Sequence, residues 1–148
     1  MTVTAAVIQR DDTFLLTRRL AGTHLEGHWE FPGGKCEPGE TLSACLLREL
    51  EEELGCRARI GECLLSTRHA YPERIVDLHF FRCELVGEAA PRIGQQMRWV
   101  PRNELRTLPL PPADSALIEL LEGQQGARAS RRGEGPGARS QGCLRDRA

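Results

Sequence analysis

A chain of 148 residues with 20 basic and 21 acidic side chains has the size of one domain and almost no net charge, since single domains most often hold ~100–150 residues. That balance excludes a global field drawing the protein to nucleic acid or an anionic membrane, and it favours a small-molecule partner. No apolar run approaches the ~20 residues of a membrane span, and the opening MTVTAAVIQR lacks the basic start and long apolar stretch of a signal peptide, so a cytoplasmic protein is expected.

In chain order, Val3–Gln9 is short and apolar-rich, a buried first strand, and Asp11-Asp12 turns it into a second strand over Thr13–Thr17. Leu20–Gly27 reads as a loop. Trp29-Glu30-Phe31 is extended, because Pro32 disfavours helix in the residue before it. Gly33-Gly34 and Pro38-Gly39 bracket a further loop. Thr41–Leu54 is the clearest helix, with Thr41 as N-cap, good helix formers throughout and Gly55 as the stop. Its predicted apolar arc is Leu42, Leu46, Leu47, Leu50 and Leu54, with Glu49, Glu52 and Glu53 grouped along one edge.

Two longer strands follow, Arg57–Thr67 and Arg74–Leu85, around a Tyr71-Pro72-Glu73 turn, then a short strand over Met97–Val100. Pro101–Leu105 forms a helical turn and Asp114–Glu122 a last amphipathic helix, with Asp114 a candidate N-cap. Strands mixed with two substantial helices predict an α/β sandwich around a mixed sheet. The domain is expected over residues 1–122. Residues 123–148, rich in Gly, Arg, Ser and Gln, bury too little to order themselves and are expected as a disordered tail. The six cysteines include no C-x-x-C pair and read as reduced, small apolar residues.

The chemistry concentrates in one segment: Gly34, five residues, Glu40, seven residues, then Arg48-Glu49-Leu50-Glu51-Glu52-Glu53-Leu54-Gly55-Cys56. Seven fixed residues at about 7% each recur by chance on the order of once in 10⁸ starts. Glu49, Glu52 and Glu53 stand at i, i+3 and i+4, so their carboxylates share one helical face. Bare like charges there repel, and a hard divalent cation reverses the sign. Mg²⁺ accepts oxygen ligands, keeps several waters and commonly binds substrate phosphates as well. RELEEEL alone would read as a solvated acidic face, but the glycine loop before it admits a backbone carbonyl to a metal shell.

This segment resembles the Nudix box, G-x5-E-x7-R-E-U-x-E-E-x-G-U with U apolar; only Cys56 at the final apolar position is unusual. Arg18-Arg19, Trp29–Lys35 and Pro111–Asp114 extend the resemblance to the MutT-like branch, over roughly residues 2–122. The resemblance implies the Nudix α/β/α sandwich and attack of an activated water at phosphorus, releasing a nucleoside monophosphate and pyrophosphate. It implies Glu49, Glu52, Glu53 and the Gly33 carbonyl as metal ligands, and Mg²⁺ as cofactor with Mn²⁺ as a substitute. Glu49 would be the general base, positioned by Arg48, and Lys35 would neutralise the leaving phosphate. Glu40 would support the loop. A carboxylate beside cations is expected to stay ionised.

Arg19, Glu30, Phe31, Tyr71 and Asp114 match positions that surround the nucleobase in such enzymes, with Val3 and Ala5 as an apolar wall. Tyr71 is equally a turn anchor. Relatives often place another metal-binding glutamate where this chain has Ile93; Glu88 is displaced and Gln95 substitutes poorly. The expected partner is a small-molecule nucleoside triphosphate, with no membrane or nucleic acid and with the chain as monomer or homodimer. An 8-oxo-dGTP diphosphatase leads, a CTP or modified-dCTP pyrophosphohydrolase is the alternative, and a nucleotide-sugar or dinucleotide hydrolase stays open. A catalytically silent ligand-sensing domain is the reading of another class.

Overall fold

The computed structural model describes residues 1–130, with side chains described through residue 124. Strands β1 (Thr2–Arg10), β2 (Thr13–Arg18), β3 (Trp29–Glu30) and β4 (Gly33–Lys35) precede helix α1 (Leu42–Leu54). Strands β5 (Arg57–Tyr71), β6 (Arg74–Val86) and β7 (Met97–Pro101) follow, then two 3-10 turns (Arg102–Thr107 and Pro112–Asp114) and helix α2 (Ser115–Ser130). The described strands form one seven-stranded sheet along β3-β2-β1-β6-β5, with β4 also on β1 and β7 on β2. β1 runs parallel to β6, from Thr2↔Asp77 to Ile8↔Cys83, while the other pairings are antiparallel. The sheet is therefore mixed, as expected.

Side chains alternate across the pleat and so serve two cores. Ala5 and Val7 of β1, Phe14 and Leu16 of β2 and Phe80 of β6 pack with Leu117, Ile118 and Leu121 of α2. Ala6, Ile8, Leu15, Phe81 and Cys83 point the other way, onto Leu42, Leu46, Leu50 and Leu54 of α1. One helix on each face of the sheet is the α/β/α sandwich that the resemblance implied. No helix among the described residues is long and apolar enough to cross a membrane.

Helix α1 is capped at both ends as its sequence requires. The Thr41 hydroxyl accepts from the Ala44 N–H at 3.1 Å, and Gly55, left-handed at φ 60°, returns its N–H to the Glu51 carbonyl at 3.0 Å. The predicted apolar arc was too wide. Leu47 is 41% exposed, and Cys45 is fully buried in its place, with its sulfur 3.2 Å from the Thr4 hydroxyl of β1. Cys36, Cys45, Cys56 and Cys83 carry free thiols. The last helix begins at Ser115 and runs to Ser130, past the expected end at Glu122. Between Glu122 and Ser130 the sequence holds Gln124, Gln125, Ala127, Arg128 and Ala129, all good helix formers, and no proline to stop the backbone. The rest of the predicted tail, residues 131–148, lies outside the described residues.

Candidate active site

The box folds around Arg48. Its guanidinium grips Glu40 twice, Nε at 2.7 Å and Nη2 at 2.9 Å, and also reaches Glu49 at 3.0 Å and the Lys35 carbonyl at 3.1 Å. A planar fork suits this bidentate grip. The pairing holds the Glu40 carboxyl down at about 2, helped by the Glu37 N–H. Glu40 is thereby a permanent anion that fixes Arg48, and Arg48 fixes Glu49 and the β4 loop.

The glycines are required by contact. A Cβ on Gly34 would collide with the Glu49 carboxylate, and one on Gly33 would run into the Thr4 carbonyl and Ala5 Cα of β1. Glu49 can lie against the loop only because Gly34 has no side chain.

Glu49 and Glu53 hydrogen-bond to each other, and the Gly33 N–H donates to Glu53. Burial pushes the Glu53 carboxyl up to about 8, with the charges of Glu30 and Glu49 adding to the effect. Glu49 is also raised, chiefly by burial, against the pull of Arg48. The expectation of carboxylates held low therefore presupposes a cation; by themselves these two share a proton. Glu52, 55% exposed at its side chain, meets Arg48 Nη1 at 3.4 Å, the same nitrogen that binds Glu49, and does not line the cavity.

Among the described residues, no three His, Cys, Asp or Glu side chains stand in the geometry of a metal cage. A hard divalent cation does not need one, because Mg²⁺ binds through one or two carboxylates, waters and substrate phosphates. The Glu49–Glu53 pair, with the Glu49 carboxylate in the space that a Gly34 Cβ would fill, fits that description.

A cavity of about 370 Å³ opens beside this pair, and Gly33, Gly34, Lys35, Glu49 and Glu53 line one end of it. Arg19, Glu30, Phe31, Tyr71 and Asp114 line it too, so the two predicted groups share one space. Lys35 is exposed at its edge. Glu30 binds Arg19 at 2.9 Å, and burial raises its carboxyl. Its charge acts on Glu53, Glu49 and Asp114, which places it between the box and the base pocket.

Asp114 is 5% exposed, and its carboxyl makes no hydrogen bond among the described residues. Burial, then the charge of Glu30, pushes it up to about 8, so it carries its proton at neutral pH. It faces the cavity rather than serving as the N-cap that its position also allowed. Phe31 is buried edge-on against Phe80 at 6.0 Å. Tyr71 closes β5, takes an N–H from Ala113 of the Pro112–Asp114 turn, and lines the cavity.

The lining residues that escaped the sequence reading include His24 and Leu25 of the 20–28 loop, and Arg74 at the start of β6. The loop has no periodicity to read, and Arg74 becomes visible only once the hairpin register sets it opposite Tyr71. Ile93 is 48% exposed. Gln95 is buried instead, its Nε2 donating to the Glu53 carbonyl at 2.9 Å, beside a second bond there from the Arg92 N–H.

The chain belongs to the Nudix hydrolase family: the NUDIX domain model matches residues 3–120. It is 40% identical over 127 residues to the CTP pyrophosphohydrolase of Escherichia coli, covering 85% of this chain and 94% of that one. It is 38% identical over 121 residues to an 8-oxo-dGTP diphosphatase of Haemophilus influenzae, covering 80% and 89%. Among solved structures, the E. coli ORF135 protein aligns over 90% of this chain and 94% of its own, at 39% identity and a TM-score of 0.73.

Proposed function

We propose that the protein is a Mg²⁺-dependent, MutT-like nucleoside triphosphate pyrophosphohydrolase, converting a triphosphate and water to the monophosphate and pyrophosphate. The observation that carries this reading is the shared cavity: the Glu49–Glu53 pair, Glu30 and Asp114 all line one space. A nucleotide laid along it would have phosphates at the carboxylates and its base at the polar edge. The named activities of the relatives support the same reaction.

Glu49, Glu53 and the Gly33 carbonyl would hold the divalent cation, with Glu52 at its margin. The cation would neutralise phosphate charge and lower the pKa of water. Glu49 accepts the proton of the attacking water, and Arg48, locked by Glu40, keeps its carboxylate aimed. Lys35 offsets charge on the departing pyrophosphate. The protein acts in the cytoplasm, as monomer or homodimer, without a nucleic-acid partner.

The favoured substrate is 8-oxo-dGTP. A protonated Asp114 both donates and accepts, so it can give its proton to the guanine O6 and take an adjacent N–H. The same neutral carboxyl also complements cytosine, donating to N3 and accepting from the N4 amino group, which favours a CTP or dCTP reading as the second. Hydrolysis of 8-oxo-dGTP, dGTP, dCTP and 5-methyl-dCTP with product analysis separates them. No preference for the oxidised purine sinks the first, and no pyrophosphate from any triphosphate leaves the silent ligand-sensing domain.

A further inference from the structure

The connection from β2 to β3 forms one side of the cavity, and nothing in the box chemistry dictates its sequence. Leu25 holds a left-handed backbone at φ 59° although Gly22 and Gly27 lie beside it. A residue with a Cβ adopts that conformation rarely, and such residues persist where their surroundings hold them, often at binding sites. Leu25 and its neighbour His24 both line the cavity.

The loop is fastened rather than loose. Arg19 donates Nε to the His24 carbonyl and Nη1 to Glu30, so one guanidinium ties this loop to the polar edge of the pocket. Arg18 Nε bonds the Gly27 carbonyl at 3.1 Å, and the Gly22 N–H bonds Glu26 at 2.7 Å. The His24 ring stands edge-on to Tyr71, centroids 5.2 Å apart at 88°, and His69 backs Tyr71 at 4.5 Å.

We propose that His24 and Leu25 are specificity-determining residues, forming an aromatic–aliphatic wall that bears on the ring face of a nucleobase and selects it by shape and polarisability. This rests on the nucleotide reading of the cavity. Glu30 and Asp114 would read the base edge, whereas this wall meets the ring plane, where aromatic and aliphatic surfaces reward planar contact. The left-handed Leu25 sets where the wall stands, and Tyr71, itself anchored to Ala113, keeps the His24 ring from turning away.

The test uses the full chain and the variants His24→Ala, His24→Phe and Leu25→Gly. It measures kcat/KM on 8-oxo-dGTP, dGTP and dCTP, and calorimetric binding of 8-oxo-dGMP and dCMP. His24→Ala should compress the ratio between best and worst triphosphate by about fivefold, through KM rather than kcat, and His24→Phe should restore most of it. Leu25→Gly should raise KM about tenfold while its melting temperature holds or rises, since glycine accepts the left-handed backbone.

A His24→Ala ratio within about twofold of wild type, or an unchanged KM in Leu25→Gly with a lowered melting temperature, overturns the proposal. The binding arm separates the two levels. If wild type releases no pyrophosphate yet binds the monophosphates, and His24→Ala weakens that binding, the hydrolase reading fails and the wall stands. Binding that neither variant moves overturns the wall whatever the turnover, and a wild type that neither releases pyrophosphate nor binds a monophosphate overturns both.

Discussion

At the scale of single residues, the site is a set of carboxyl groups driven to different protonation states by their neighbours. Glu40 is pinned as an anion by Arg48, while Glu53, a similar group on the same motif, is pushed up by burial and like charge. Glu53→Gln should reduce pyrophosphate release by about 10³-fold without lowering the melting temperature, because a neutral amide stands in for the protonated carboxyl that burial favours there; appreciable residual turnover would refute its assignment. Asp114 gives a pH signature. Its folded pKa of about 8 lies above the ordinary 3.8, so between those values the native state holds a proton that the unfolded chain has released. Stability is then fully present below the unfolded value, falls as pH rises through that window, and levels off above the folded value. Asp114→Asn should abolish this slope, melting above wild type at alkaline pH with the gap closing toward acid. Thermal melts across the window check it.

At the scale of elements, legibility followed how local the cause was. Thr41, Gly55 and the leucine spacing announced α1 because caps and periodicity act within a few residues. The Nudix box was legible because its spacing is set by one helix and one loop. Leu47 was misread because only the packed sheet decides how wide the buried stripe is. Spacing sets Glu52 beside Glu49, and one Arg48 nitrogen contacts both, but its exposure was not legible from spacing. The 20–28 loop carries no period at all, and its contribution to the cavity rests on the contact of His24 with Tyr71, which is distant in sequence. Gln95 illustrates the same limit. It looked like a weak replacement for an acidic ligand, yet its amide caps the end of α1 through the Glu53 carbonyl and also accepts from the Ile93 N–H at 3.0 Å. Gln95→Ala should cost about 1–3 kcal/mol, read as a lower urea midpoint. Gln95→Glu should cost no less, because an ionised carboxylate cannot donate to that carbonyl.

At the scale of the whole molecule, one side chain joins pieces that the sheet alone leaves separate. Arg102 is 1% exposed, bonds the Leu121 carbonyl of α2 at 2.8 Å and Asp12 of the first turn at 2.9 Å, and stacks on Phe14 at 5.0 Å. Arg102→Ala should destabilise by about 2–4 kcal/mol through an orphaned carbonyl and a void. Calorimetric melts measure the loss, and kcat below the melting transition should stay near wild type because Arg102 is remote from the cavity. The parallel β1–β6 pairing has a consequence of another kind. β1 sits in the middle of the sheet, yet its partner begins some seventy positions later, at Asp77 opposite Thr2. During synthesis the first strand to emerge must therefore wait, with Ala5 to Ile8 uncovered, until β6 has been made. Distant pairings close slowly and leave such segments open to wrong partners. The vulnerable moment for this chain lies before its domain closes, and the segment at risk directly continues Val3 to Ala5, which line the cavity.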